Sequence, residues 1–360
     1  MLPVAIVGCG KIADQHIAAI HRIPKTKIVG VCDREAMMAE QLAERFGIDF
    51  YTDDLSQLLE QVKPAIIHIT TPPQSHFALA MQCLEAGCHV YVEKPFTINT
   101  DEAVRLTCFA ENRGLKLTAG HNLQYTLENM KARELVRAGF LGGPPVHIES
   151  YYTYNLGDAS YAKALLGDRN HWVRCLPGKL LHNIISHGIA RIAEFMDAEN
   201  PEITAFGHAS PLLQEINEDD IIDELRVHIS DGRNMTASFV FSSQIGPPLN
   251  GCRIYGPKNS LIIDNAHRTL IRLKNRHYKS YLNYFVPPFE SASEYMLNSG
   301  RNIYRFIRSQ FHDDSGLKNF IEAFYMAVQG EGPLPLSYRE ILMTSRIMDS
   351  IFQQIQKEAE

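Results

Sequence analysis

Four short stretches combine residue types that could do chemistry, each placed where one chain segment gives way to another. Directly after an apolar run, Gly8-Cys9-Gly10-Lys11-Ile12-Ala13 reads GxGxxA at a strand-to-helix junction. Glycines there let a backbone approach a pyrophosphate, and a helix N-terminus offers N–H donors and positive potential; a tight turn with no ligand has the same signature. A second apolar run ends in Asp33, near the spacing at which a carboxylate accepts hydrogen bonds from both adenosine ribose hydroxyls and repels a 2′-phosphate. That favours NAD, with NADP possible because of Arg34, which could stack on adenine, pair with the extra phosphate or stand solvated at the strand end. Thr71-Pro72-Pro73-Gln74-Ser75-His76 and Glu93-Lys94-Pro95 follow two further apolar runs. Ends of parallel strands are where open α/β sheets bind ligands. A lysine at such an end either pairs with a carboxylate such as Glu93 or does proton chemistry.

Those stretches need strands and helices to hold them. Apolar runs at Val4–Val7, Ile28–Cys32, Ala65–Ile69, Val90–Val92 and Leu117–Ala119 alternate with helical patterns, which predicts a parallel sheet covered on both faces. The helices carry their own stops and starts: Glu35 to Phe46 ends at Gly47, Ser75 to Ala86 ends at Gly87, and Asn99 with Glu102 makes a capping box. The expected fold is α/β, a doubly wound Rossmann domain over residues 1–120. A second, α+β domain over residues 121–360 is expected to hold an open, mainly antiparallel sheet. It begins with a linking helix near Leu127–Ala138, and alternating stretches such as VHIESYYTY, ELRVHIS and NMTASFVFSS then join through tight polar turns. The aromatic and basic region from His277 to His312 has weak periodicity, and Tyr338 to Ile355 reads as an amphipathic helix.

Composition narrows the partners. The chain has 360 residues, 45% of them hydrophobic, enough for two cores. A net charge of -6 without long charged runs leaves no footprint for nucleic acid or an anionic membrane. Seven dispersed cysteines without a CxxC pair suit reduced thiols in a cytoplasmic protein, and no zinc or other metal site is expected. The start, MLPVAIVGCGKIA, reads as a buried strand instead of a leader peptide, and no run is long enough to cross a bilayer.

The stretches GCGKIADQH, TPPQSH and AGCHVYVEKPF, in this order and spacing, resemble the Gfo/Idh/MocA family, the glucose-fructose oxidoreductases and inositol dehydrogenases. The resemblance implies a nicotinamide-cofactor domain followed by a sheet domain that often builds the oligomer interface. It implies that Gly8, Gly10, Lys11, Ile12, Asp33, Thr71, Pro72, His76 and Glu93 line the cofactor site, and that Lys94 lies between nicotinamide and substrate. A family element like GGxLxDxGxHxxD corresponds to residues 177–190, where His187 falls on the family histidine. Asn183 replaces its first aspartate and Ala190 its last, so His187 lacks the carboxylate that would raise its proton affinity. Gln124 and Tyr125 match a family segment near the nicotinamide. Trp172 falls where the family fold faces substrate, and an aromatic face suits a sugar ring or the core equally.

On this reading the chain transfers a hydride between NAD and a carbinol or keto carbon of a sugar, cyclitol or nucleotide sugar, with Lys94 and His187 as catalytic residues. Two other readings stand beside it: an NAD-dependent glycosidase working by oxidation and elimination, and a dinucleotide-binding sensor without chemistry. A homodimer or homotetramer is expected through the second sheet, on the argument that its outer face is apolar and costly to leave wet. The helix-like stretch Asn302 to Phe311 is expected at a subunit interface in preference to a membrane surface.

Overall fold

The computed structural model describes residues 1–157, 159–308, 310 and 316–357. The chain forms two compact units, Met1–Asn122 with Ser315–Arg346, and Leu123–Asp314 with Ile347–Glu360.

The first unit runs β1 (Leu2–Val7), α1 (Lys11–Ile20), β2 (Thr26–Cys32), α2 (Ala36–Phe46), β3 (Tyr51–Thr52), α3 (Leu55–Val62), β4 (Ile66–Ile69), α4 (His76–Glu85), β5 (His89–Val92), α5 (Thr100–Asn112) and β6 (Leu117–Ala119). Its strands are all parallel, in the order β3-β2-β1-β4-β5-β6. Val4 to Val7 and Ile66 to Ile69 are buried throughout, the pattern of strands covered on both faces. The predicted helix ends are present. Gly47 closes α2 in the left-handed conformation at φ 65°, and the Asn99 side chain accepts from Glu102 N at 2.9 Å to open α5. The two-residue β3 escapes a periodicity argument because it is too short to show one.

The second unit contains α6 (Leu127–Arg137), β7 (His147–Thr153), α7 (Ala159–Leu166), α8 (Lys179–Ile184), α9 (Ser186–Ala193), β8 (Glu202–His208), α10 (Pro211–Glu215), β9 (Glu224–Ser230), β10 (Thr236–Ser242), β11 (Gly251–Tyr255), β12 (Asn259–Asp264), β13 (Thr269–Lys274) and α11 (Val286–Ile307). The strand order is β13-β12-β11-β7-β10-β9-β8, antiparallel except for β7 with β10. One face is a core of Ile148, Val227, Phe239, Cys252 and Leu261. The opposite face, expected to be apolar, is mixed. It presents Glu149, Arg226, His228, Ser238 and Arg253 beside Tyr151, Phe206, Val240 and Ile262, with the Tyr151 hydroxyl donating to Glu149 at 2.8 Å. Alternation along each strand sends the core residues inward and leaves these outward. Most of the weakly periodic stretch after His277 is α11, opened by Pro287 and Pro288 at first-turn positions where a missing N–H costs nothing. Phe289, Ile303, Phe306 and Ile307 of α11 are exposed, whereas Phe311 and His312 lie outside the described residues.

The chain then returns to the first unit. The helix α12 (Leu317–Val328) and the start of α13 (Tyr338–Lys357) belong with it, whereas the sequence pattern assigned all of 121–360 to a second domain. The cause is one row of side chains. The register places Ile6, His68, Tyr91 and Thr118 side by side on one sheet face. Phe320 and Phe324 of α12, both fully buried, meet Tyr91 at ring distances of 5.6 and 6.2 Å. Phe320→Ala should therefore cost about 3–5 kcal/mol of stability, as deep aromatic truncations do, against about 1 kcal/mol for Asn99→Ala, which removes only a cap. Urea unfolding of both variants checks this; equal costs would show that α12 does not support the sheet.

Candidate active site

The first unit gathers its chemically able residues at the carboxyl ends of β1, β2, β4 and β5. Gly8 turns the chain at φ +99°, and a Cβ there would stand 2.7 Å from Thr71 Cγ2 and 2.8 Å from the Thr70 backbone carbon. Only glycine fits both the angle and the space. Gly10 caps α1 in extended geometry, with no side-chain cap on the helix and nothing within 4 Å of where its Cβ would be. Exposed Lys11 and half-buried Ile12 open the helix, so its N-terminal dipole faces an unobstructed approach, which fits a dinucleotide pyrophosphate.

Asp33, at the end of β2, has a second task. Its Oδ2 accepts from Cys9 N at 2.7 Å and its Oδ1 from Glu35 N at 3.0 Å, so the same carboxylate clamps the glycine turn to the second strand. Arg34 is exposed beside it, 3.6 Å from Glu35.

His76 is fully buried, with Nε2 2.8 Å from the Thr71 carbonyl oxygen and Nδ1 3.0 Å from that of Pro95. Burial lowers its proton affinity against the pull of those carbonyls. Its ring thus ties the Thr71-Pro72 turn to the cis Lys94–Pro95 turn, and its contribution to a bound cofactor passes through these loops. Thr71 and Pro72 stay at the surface side of that tie, where Thr71 Oγ1 accepts from Ser75 at 2.7 Å.

Glu93 is buried, with Oε1 2.9 Å from His16 Nε2 and Oε2 accepting from the Lys94 backbone N–H at 3.0 Å. Burial pushes its carboxyl up, but His16 and Lys94 outweigh that and hold it below the usual range. Lys94 keeps part of its surface open, yet the protein around its ammonium lowers its proton affinity, with Glu93 acting in the opposite sense. His121, just past β6, is buried and pushed down to about 4 by desolvation, with Glu93 opposing and Lys94 adding to the shift. It was missing from the sequence reading, as was His16; His121 directly follows the turn glycine Gly120, whose absent side chain leaves room for Glu93.

The second unit places the remaining candidates. Gln124 is 2% exposed and donates to Glu194 at 3.0 Å and to the Ala190 carbonyl at 3.3 Å, which makes it a tie within that unit's core. Tyr125 lies under the Arg133 guanidinium at 5.0 Å. Trp172 is half-buried next to His171. Asn183, in α8, is half-buried, and His187, in α9, is buried 6.0 Å from the Tyr152 ring. His182 stacks on Phe352 at 4.9 Å.

Replacing Asp33 with Ser should weaken NAD binding more than NADP binding. It should also destabilise the fold by about 1–3 kcal/mol, because two backbone N–H groups lose a charged acceptor. Calorimetric titration with both cofactors, beside a melting curve, separates these effects. Equal losses for the two cofactors would show that the carboxylate does not meet the ribose.

Comparison with known proteins converges on the same unit. Residues 2–121 match the GFO_IDH_MocA family, described as an oxidoreductase family with an NAD-binding Rossmann fold. D-glucoside 3-dehydrogenase of Escherichia coli (strain K12) is 33% identical over 142 residues, 39% of this chain and 40% of that protein. The match thus spans about two fifths of that relative's length. Among solved structures, UDP-N-acetylglucosamine 3-dehydrogenase GnnA from Acidithiobacillus ferrooxidans superposes with a TM-score of 0.73 at 18% identity, over 100% of this chain and 99% of that one. The WlbA dehydrogenase from Bordetella pertussis, in complex with NADH and UDP-GlcNAcA, gives 0.75 at 16% identity over 99% and 96%. At those identities the likeness establishes the fold. Residues 2–121, with their glycine turn, Thr71–His76 turn and Glu93-Lys94-Pro95 turn, match the Gfo/Idh/MocA oxidoreductase family with its NAD-binding Rossmann fold.

Proposed function

We propose that the protein is an NAD-dependent oxidoreductase that transfers a hydride to or from a carbinol carbon of a sugar, cyclitol or nucleotide sugar. The observation that carries this is Lys94, a lysine of lowered proton affinity next to a buried carboxylate, at the same strand edge as the glycine turn. The substrate class is supported by the similarity to a glucoside dehydrogenase and by the shared fold of an enzyme that holds UDP-GlcNAcA.

When bound, NAD supplies the hydride acceptor and a positive charge. The protein supplies the proton chemistry. For oxidation a neutral Lys94 amine removes the hydroxyl proton, and in reduction the ammonium returns it. Lowered proton affinity raises the neutral fraction near pH 7 over that of a solvated lysine. His187, with Asn183 nearby in sequence and no carboxylate in the family position, orients a substrate oxygen by hydrogen bonding. All seven cysteines are unbridged, which suits a reducing, cytoplasmic setting. Among the described residues no helix is long and apolar enough to cross a membrane.

Lys94→Ala should leave NAD affinity nearly intact and lower single-turnover hydride transfer by on the order of 100-fold or more; His187→Ala should cost less or change the substrate range. Oxidation should rise with pH up to a limb below the ordinary lysine value of about 10.4, because the base must be neutral, and reduction should show the opposite trend. A screen of sugars and nucleotide sugars for NADH formation supplies the substrate. Release of a free sugar without net NADH would replace dehydrogenation by oxidation and elimination, and a Lys94 variant with full chemistry would sink the role given to it.

Assembly as a homodimer or homotetramer through the second sheet is part of this proposal. Its outer face would then be joined by polar contacts around Glu149, Arg253 and Tyr255, whose hydroxyl already donates to Glu149 at 3.2 Å. Sedimentation velocity at micromolar protein checks this, and monomer alone would remove it.

A further inference from the structure

A chain of four buried polar side chains crosses the interior of the first unit. Tyr325 Oη lies 2.8 Å from His68 Nε2, His68 Nδ1 lies 2.9 Å from His16 Nδ1, and His16 Nε2 lies 2.9 Å from Glu93 Oε1. Both histidines are fully buried and Tyr325 is 2% exposed. Three helices and strands meet here, since His16 comes from α1, His68 from β4 and Tyr325 from α12.

A contact between two Nδ1 atoms needs one donor and one acceptor, so the protons along the chain must follow an order. In one order Tyr325 O–H donates to His68 Nε2, His68 Nδ1–H donates to His16 Nδ1, and His16 Nε2–H donates to an ionised Glu93. Every polar hydrogen is then used and both rings are neutral. In the other order His16 is an imidazolium that donates both ways, and His68 Nε2–H points at Tyr325. The tyrosine hydrogen would then need a second acceptor, and among the described residues His68 is the partner of that hydroxyl. A buried O–H left unpaired costs about 1–3 kcal/mol, which selects the first order. Burial also lowers the proton affinity of His68. The chain ends at a buried tyrosine, so it is no route for protons to solvent.

We propose that Tyr325, His68 and His16 are positioning residues, a hydrogen-bond chain of fixed direction that holds Glu93 as an oriented carboxylate under the Lys94 backbone and so governs how readily Lys94 gives up its proton. The groups that face this chain are Tyr91, stacked on His68 at 4.7 Å, and, around Glu93, Lys94 and His121. Without the His16 donor, only Lys94 and its backbone N–H oppose the effect of burial on Glu93, so the carboxylate gains proton affinity. Lys94 then has a weaker hold on the negative charge that favours its ammonium. The importance of that effect for turnover rests on the dehydrogenase reading, but the chain itself is tested without substrate.

Nitrogen-15 spectra of histidine-labelled, full-length protein should show His16 as the Nε2–H tautomer and His68 as the neutral Nδ1–H tautomer, with the His68 signal unchanged from about pH 6 to 8, where a free histidine titrates. An imidazolium at His16, or Nε2–H at His68, would overturn the direction. Tyr325→Phe, which keeps the ring's volume, should mix the His68 tautomers; an unmixed Nδ1–H signal would remove Tyr325 from the chain. In the carbon-13 titration of Lys94, His16→Leu should lower the midpoint by about one unit, the scale for losing a close opposite charge. His16→Gln, whose amide can still donate to Glu93, should restore most of that shift. An unmoved Lys94 midpoint in a folded His16→Leu protein would break the link to Lys94. Failure of every sugar to be oxidised would count against the proposed function and leave these readouts to decide the chain.

Discussion

The sheet face that carries His68 and Tyr91 imposes the strongest demand in the first unit. His68 is fully buried in the middle of a parallel sheet, where each of its ring nitrogens needs a partner. α1 answers with His16 and α12 with Tyr325, and the phenylalanines of α12 pack on Tyr91 beside it. Pairing His68 ties α1 to the sheet. The position of α1 fixes its N-terminus, and with it the glycine turn that faces the approach to β1 and β4. Core chemistry and site geometry are thus one problem.

The loops at the carboxyl edge are held by side-chain-to-backbone bonds more than by packing. Asp33 grips the glycine turn at Cys9 N and its own turn at Glu35 N, His76 grips two carbonyls, and Glu93 grips the amide of the residue that follows it. Such bonds fix backbone paths while leaving the faces of the turns open, as a site that must admit a dinucleotide requires. They also bear on two neighbours. Glu93 and Lys94 are adjacent in sequence and both desolvated, which by itself raises a carboxyl and lowers an ammonium, yet Glu93 is held down because two donors reach its oxygens.

Most of the first unit was legible in the sequence because parallel strands write themselves as unbroken apolar runs, and glycine and asparagine mark the helix ends. The site motifs were legible for a related reason: Gly8 and Asp33 follow such a run directly, and Thr71 and Lys94 one residue later. The return of α12 was not, since a helix pattern says which face is apolar and nothing about which sheet will cover it. Tyr325 and His68 are 257 positions apart, and no local period joins them. In the second unit β8 was missed because Glu202 to His208 alternates exposed residues with few apolar ones at a sheet edge. The resemblance placed Gln124 near the nicotinamide, but the bond its amide nitrogen donates to Glu194 joins residues 70 positions apart and no local pattern announces it. His16 was written inside a recognised stretch, GCGKIADQH, but its partner lies on another strand, so only the fold could give it a task.

The return of α12 also sets an order on the protein's synthesis. Leu317 follows Ala119 by about two hundred residues, so at 5–20 residues per second a ribosome completes β6 on the order of 10 to 40 seconds before α12 exists. During that interval Tyr91 and His68 have no cover from the helix that will bury them. The Rossmann unit therefore cannot finish folding as it emerges, although it comes first in the chain. A late-made helix closes its earliest-made sheet, and any nascent chain halted between the two would present an aromatic surface to whatever lies nearby.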